Sequence, residues 1–408
     1  MKIHKRTLDN GLRVLIAQKE SLESVSIVIG VNFGSVDVGR NHEGLAHYLE
    51  HMLFKGTKKR SWSQINGITR KYNIFYNAET DYETTMYEAQ VYRRYTENAM
   101  ELISDMIKHP KFSRKEFKHE LGPIVHEIAM RKEDPNSIVY DNMPRALFKE
   151  SKEIIPESIS SLEHNVSLQN IIDAYETYYN PGNSVLVISG GIDAESGIAL
   201  AKKYMGEFER KFSSPKRDRL FLNKNIKRIN MKRKDTERGE VAIGFGCSGI
   251  NSSKLQEYVS MRAIASILNN RIYDQIREIH GLSYDPSVEY NAYSTFGYIS
   301  ASAGGSPSKL NRIRKLMLQE FQKLKSGKIE REELENVKRG LEIKYALDTD
   351  DTLETATKIT EMELMYGDGR MYGKIPGMTK RLDAGSLERM ASSYISMKRY
   401  GMITLSRA

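Results

Sequence analysis

The chain has 408 residues, more than one ordinary hydrophobic core accommodates, and its 39% hydrophobic content is enough for two sizeable cores. Lys and Arg (62) outnumber Asp and Glu (53), for a net charge of +9. These charges are interspersed, and the densest basic stretch, Lys216 to Arg238, reads as a solvated connector, which sets nucleic-acid binding aside. Cys247 is the single cysteine, so an internal disulfide and a Cys-rich zinc module are both excluded. No window approaches the ~18 apolar residues that a membrane span needs. The N-terminus MKIHKRTLDNGLRVLI lacks the apolar core of a signal peptide, and the expectation is a cytoplasmic protein with no membrane partner.

In chain order, LDNG (8–11) predicts a hairpin between Ile3 and Leu15. SVSIVIGVNFG (24–34) reads as a buried strand. The segment around His47 and His51 has a helical pattern. YNIFYNA (72–78) and TTMYEAQVY (84–92) alternate and are rich in aromatics, as strands are. Two helical stretches follow, roughly 95–108 and 113–132, and NSVLVISGGID (183–193) is a strand that runs into a Gly-rich turn before a helix over 194–205.

The second half repeats this order at a spacing of about 215 residues. GEVAIGFGCSG (239–249) stands where SVSIVIGVNFG stood. A helical stretch over 255–278 replaces the histidine helix, and HGLSYDPSVEYNAYSTFGYISASAG (280–304) supplies strands. Helices over about 306–325 and 330–346 come next, and SYISMKRYGMITLSRA (393–408) mirrors YYNPGNSVLVISGG. The predicted architecture is α+β. It has two homologous domains, 1–212 and 238–408, each a mainly antiparallel sheet with helices packed on one face. The basic, Pro-containing segment 213–237 is expected to be a surface linker.

The chemistry concentrates in GLAHYLEHMLFKGT (44–57). On a helix, His47 and His51 project from one face, so both imidazoles can reach one metal ion at ~2.0–2.1 Å. Glu50 is a neighbour of His47, placed to touch a water at that ion. The spelling H-x-x-E-H is that of the inverted zincins. Two histidines and a glutamate amid Leu and Phe are costly unless something coordinates them, and a metal does. A catalytic zinc usually takes a third protein ligand. Glu120 and Glu127, two helical turns apart in KHELGPIVHEIAMRKEDP, are both candidates, and spacing leaves the choice open.

GLAHYLEHMLFKGT, YNAETDYETTMY (76–87), HELGPIVHEI (119–128) with the following EDP, and REIHGLSY (277–284) resemble the pitrilysin-type (M16) zinc metallopeptidases. The similarity covers the whole chain and is closest to the short two-domain bacterial and archaeal members, which are akin to mitochondrial processing peptidase subunits. The resemblance implies one Zn2+ per chain held by His47, His51 and Glu127. It implies Glu50 as the general base and Glu120 as the carboxylate that orients the site from outside the ligand set. It makes Asn77 and Ala78 the edge-strand position where a substrate peptide adds as an extra strand. It gives Arg277 and Tyr284 the tasks of holding the substrate backbone and stabilising an oxyanion.

Larger relatives close four such domains around a chamber, so the resemblance implies an endopeptidase acting on peptides or unfolded polypeptides inside a homodimer. A heterodimer, or a non-catalytic partner subunit of a processing peptidase, is the alternative. Pro123 departs from the family pattern. It is expected to start or kink the helix, which leaves the orientation of Glu120 open. His119 and His126 are expected to face outward.

Overall fold

The computed structural model describes residues 1–149, 162, 165–218, 220–233 and 238–407. Among these residues no helix is long and apolar enough to cross a membrane. The predicted hairpin opens the chain. Strands β1 (Lys2–Thr7) and β2 (Arg13–Gln18) pair antiparallel. Gly11 takes φ +89° in their turn, while Asn10 caps it by accepting from the Leu12 N–H and donating to the carbonyls of Met205 and Phe208.

The first sheet runs β1-β2-β6-β3-β5-β4, with β3 (Ser24–Val31), β4 (Phe75–Thr80), β5 (Thr85–Tyr92) and β6 (Ser184–Gly190). The β2–β6 pair is parallel and the others are antiparallel. The second sheet runs β7-β11-β8-β10-β9, with β7 (Lys227–Arg233), β8 (Gly239–Ser248), β9 (Ser287–Ala292), β10 (Phe296–Gly305) and β11 (Gly401–Arg407). Its one parallel pair, β7–β11, takes the place of β2–β6. The internal repeat therefore holds in strand order and direction, and the α+β class holds with it.

Strand β7 falls inside the stretch expected to be a linker. Residues 227–233 are the second sheet's counterpart of β2, and the basic side chains Lys227, Arg228 and Lys232 are exposed on this edge strand. Charged residues on an edge discourage unwanted strand pairing, and that same charge made the segment look like a connector. Arg219 and residues 234–237 of the expected linker lie outside the described residues.

The compact units are also not the contiguous stretches expected from sequence. The first comprises Met1–Ile128, Glu153–Arg217 and Ala346–Lys374; the second comprises Ala129–Lys152, Asp218–Tyr345 and Ile375–Ala408. Each unit thus takes one helix from the other half of the chain. On the first sheet, Ile27 and Ile29 of β3 join the core beneath the helices Leu45–Leu53 and Thr96–Lys108. The alternate residues of β3 face the helix Thr352–Tyr366. Ser26 Oγ lies 2.8 Å from Thr352 Oγ1, and a Cβ on Gly30 would stand 2.4 Å from Thr360 Cγ2. Both faces of β3 are therefore covered, which is why its whole run is apolar or small. In the second unit the helix Pro135–Leu147 does the same, with Met143 against Gly244 of β8, while Phe245 packs on Phe321 on the opposite face.

Gly30→Leu should overpack this contact. The expected cost is about 1–3 kcal/mol, read as a lower urea midpoint with an unchanged slope. An unshifted midpoint would mean that the helix Thr352–Tyr366 does not sit on β3.

Candidate metal centre

The histidine helix, Leu45–Leu53, starts after Gly44, whose φ of +86° is one that other residues rarely adopt. Leu45, Leu49, Met52 and Leu53 bury its apolar face in the core. The helix Arg114–Glu133 is fixed against it by Tyr48. The Tyr48 ring stacks on Phe117 at 4.7 Å, and its hydroxyl donates to the Phe117 carbonyl. Glu120, Ile124 and Ile128, one turn apart, are buried, and Glu127 lies on the neighbouring row, about half exposed. This helix neither starts nor ends at Pro123 but runs through it. Pro123 has no N–H to give the His119 carbonyl, but Gly122 before it lacks the Cβ that would clash with the proline ring. His119 and His126 are exposed.

The structure brings His47, His51 and Glu127 together, the one group of at least three His, Cys or acidic residues that meets metal-ligand spacing among the described residues. His47 Nε2 and His51 Nε2 are 3.2 Å apart. His47 Nε2 is 3.3 Å from Glu127 Oε1, and His51 Nε2 is 3.3 Å from Glu127 Oε2. Zinc–ligand distances of ~2.0–2.1 Å imply donor–donor edges of about 3.3–3.4 Å in a tetrahedron. The two imidazole nitrogens and the Glu127 carboxylate, which meets each of them through a different oxygen, stand at such spacings, so the residues present fit a zinc ion with an open fourth position.

Glu120 is buried behind these donors. Its Oε1 lies 3.0 Å from His51 Nδ1 and accepts the proton carried there, so Nε2 is the nitrogen that faces the centre and would free its lone pair for an ion. Its Oε2 lies 2.7 Å from Lys55 Nζ. Burial would raise the Glu120 pKa, but His51 and Lys55 outweigh it and lower it. With no ion bound, burial disfavours the charged form of His51, yet the Glu120 and Glu127 carboxylates hold its pKa up at about 9. Hydrogen bonds from His47 and His51 hold the Glu127 carboxyl well below its ordinary range.

Glu50 is not among the three converging donors. It is 7% exposed, and burial raises its pKa against the opposing pull of His47 and the Thr80 hydroxyl, which donates to Oε2 at 2.5 Å. Sequence reading missed Lys55 and Thr80. Lys55 follows His51 by four residues, a spacing that hints at a shared side. Thr80 shares the parity of Tyr76 and Ala78 on β4, the side that meets the histidine helix.

Strand β4, which carries Asn77 and Ala78, is the edge of the first sheet, paired only to β5. Asn77, Ala78, Glu50, His51, Glu120 and Glu127 share an open cleft of ≈ 460 Å3, with Trp62 and Phe54 on its wall. Arg277 and Tyr284 belong to the second unit. A π-helical turn, Asp274–Ile279, extends the helix Leu255–Tyr273, and Gly281 at φ +56° turns the chain back. Arg277 Nη1 then donates to the Tyr284 carbonyl at 2.9 Å, and the guanidinium lies 4.3 Å over the Tyr284 ring, which is 75% exposed. Both line a cleft of ≈ 560 Å3 in that unit.

Residues 13–156 match the family model described as Insulinase (Peptidase family M16), and residues 165–341 match the one described as Peptidase M16 inactive domain. The chain belongs to the M16 peptidase family. One relative of this M16 chain is the uncharacterized zinc protease YmxG of Bacillus subtilis, 25% identical over 395 residues, with 95% of this chain and 94% of that protein covered. Its fold matches a protease from Helicobacter pylori with a TM-score of 0.90 at 19% identity, covering 99% of both chains. It also matches the periplasmic protease PqqL of Escherichia coli with a TM-score of 0.77 at 14% identity, covering 99% of this chain but 46% of PqqL.

Purified protein is expected to take up one zinc per chain by elemental analysis. His51→Ala should lose it and Glu50→Gln should keep it. The metal-free cluster also carries a pH signature. Its carboxylates are lowered and its His51 is raised, so its stabilisation is fullest between about pH 4.5 and 6.5. It declines as pH rises from there through about 9, and as pH falls through the carboxylate range. The melting-temperature gap between metal-free wild type and His51→Ala should therefore shrink from pH 6.5 to 9.5. A constant gap would refute the coupling.

Proposed function

We propose that this chain is a zinc-dependent endopeptidase that hydrolyses peptides or unfolded polypeptides inside a chamber built from two copies of itself. The observation that carries the reading is the convergence of His47 Nε2, His51 Nε2 and the Glu127 carboxylate, with the nitrogens 3.2 Å apart and each 3.3 Å from one carboxylate oxygen, beside an open sheet edge. Zinc bound there would supply a Lewis acid that polarises a carbonyl and brings the pKa of a water to ~7.

The chain's own residues do the rest. An extended peptide adds to β4 at Asn77–Ala78 through main-chain hydrogen bonds, which bring one of its carbonyls to the cleft. Glu50 takes a proton from the attacking water and returns it to the leaving amine. Its raised pKa suits a base that must later act as an acid, and the Thr80 hydroxyl holds its other oxygen. Tyr284 and Arg277 hold the substrate backbone and stabilise the oxyanion.

In this reading Arg277 and Tyr284 of one copy serve the cleft of the other. Support comes from PqqL, a single chain about twice as long as the portion this chain matches. A chamber admits unfolded chains and excludes folded ones. The buried thiol of Cys247 is compatible with a reducing cytoplasm, the compartment we propose.

Incubation with a mixed peptide library, read by mass spectrometry, should give internal cleavages that a chelator abolishes. Glu50→Gln should lower kcat by at least ~100-fold, the usual contribution of a general base, with zinc retained. Undiminished turnover would refute its role. Mixing Glu50→Gln with Tyr284→Phe should restore activity if the site is shared between copies. Separate inactive variants that stay inactive when mixed would sink the sharing.

A further inference from the structure

Lys55 is not a candidate ligand and not part of strand β4, and it lines the cleft that also holds Glu50, Asn77 and Ala78. Its ammonium nevertheless lies 2.7 Å from Oε2 of Glu120, whose Oε1 is 3.0 Å from His51 Nδ1. Glu120 has 3% of its side chain exposed and Lys55 has 20%, so this pair is largely out of water, unlike the solvated surface pairs that contribute little. Oε2 accepts no hydrogen bond of regular geometry from the described residues, so the ammonium holds it as an ion pair. The backbone of Lys55 is tied as well. Its N–H donates to the Met52 carbonyl, and the chain beyond it is pinned by the Gly56–Ser61 and Thr57–Pro110 bridges. The lysine therefore presents a charge at a determined point just past the end of the histidine helix.

We propose that Lys55 is a positioning residue that acts on the metal centre through Glu120. Its ammonium pins the far oxygen, so that the near oxygen holds the His51 ring with Nε2 turned toward His47 and Glu127. A carboxylate held at one oxygen only can swing about its last side-chain torsion, and the imidazole it steadies can turn with it. Held at both ends, Glu120 becomes a rigid strut between the turn at Lys55 and His51. The same charge beside the helix C-terminus is favourable in its own right, but that effect alone would not depend on Glu120. This inference rests on the zinc reading above, and its test separates the two.

Zinc dissociation constants of purified protein, measured by competition with a chromogenic chelator, provide the first readout. Lys55→Met is expected to weaken zinc ~10–100-fold, as loss of a partner behind a ligand typically does. Lys55→Arg, which can also grip a carboxylate, should stay within about threefold of wild type. Lys55→Met combined with Glu120→Gln should bind no more weakly than Glu120→Gln alone, because both act through one strut. Lys55→Gln replaces the Met variant if the latter does not fold. The second readout needs no metal: a crystal structure of the metal-free Lys55 variant, in which Glu120 should have left its position 3.0 Å from His51 Nδ1. Wild-type zinc affinity in Lys55→Met, additive effects in the double variant, or an unmoved Glu120–His51 contact each overturn the proposal. If wild type binds no zinc, the hydrolase reading fails, and the crystal structure alone decides the role of Lys55.

Discussion

A ring nitrogen and a carboxylate oxygen 3.0 Å apart, His51 Nδ1 and Glu120 Oε1, determine which side of His51 faces the other two donors. An imidazole has two chemically distinct nitrogens, and only the one without a proton can hold a metal. The carboxylate claims the proton of Nδ1, so Nε2, beside His47 Nε2 and Glu127, is the nitrogen that would free its lone pair when an ion binds. The rest of the first unit serves to bring these groups together. Tyr48 clamps the helix Arg114–Glu133 to the histidine helix, Ile124 and Ile128 bury its inner stripe, and Lys55 closes the far side of Glu120.

That arrangement tolerates features a local reading counts as defects. Pro123 removes a hydrogen bond from the middle of a 20-residue helix. Gly122 relieves the steric part of the conflict, and the stacked Tyr48–Phe117 pair holds the turn before it in place. Glu50 and Glu120 are buried acids, and each has a specific answer to its burial: Thr80 for one, His51 and Lys55 for the other. The buried carboxylate of Glu50 is held near the donors without joining them.

The helix exchanged between the two halves explains another pattern. Strands β3 and β8 are buried along nearly their whole length because each is covered on both faces, one face by a helix from the other half of the chain. Glycines at 30 and 244 let those helices lie close. Neither unit is therefore a contiguous stretch of chain, and each sheet depends on residues from both halves. The two sheets share an order and a single parallel pair, yet only the first carries the His-His-Glu group among the described residues.

Much of this was legible in the sequence because it depends on local periodicity. Hairpin chemistry at Asp9-Asn10-Gly11, alternation in β4 and β5, and the i, i+4 spacing of His47 and His51 are all determined by backbone geometry within a few residues. The approximate 215-residue repeat is legible for the same reason, taken twice. What lay beyond reach involves neighbours distant in sequence. Strand β7 hid in a basic stretch because an edge strand is covered on few sides, so hydrophobicity does not mark it. The exchanged helices carry no local sign of which sheet they cover. Spacing alone left Glu120 and Glu127 equivalent, since both lie on adjacent rows of one helix. Only packing against the histidine helix turned one carboxylate inward, to a ring nitrogen and an ammonium, and left the other half exposed among the donor atoms. A helix determines its rows from its own sequence, but which row meets which partner depends on how the chain folds around it.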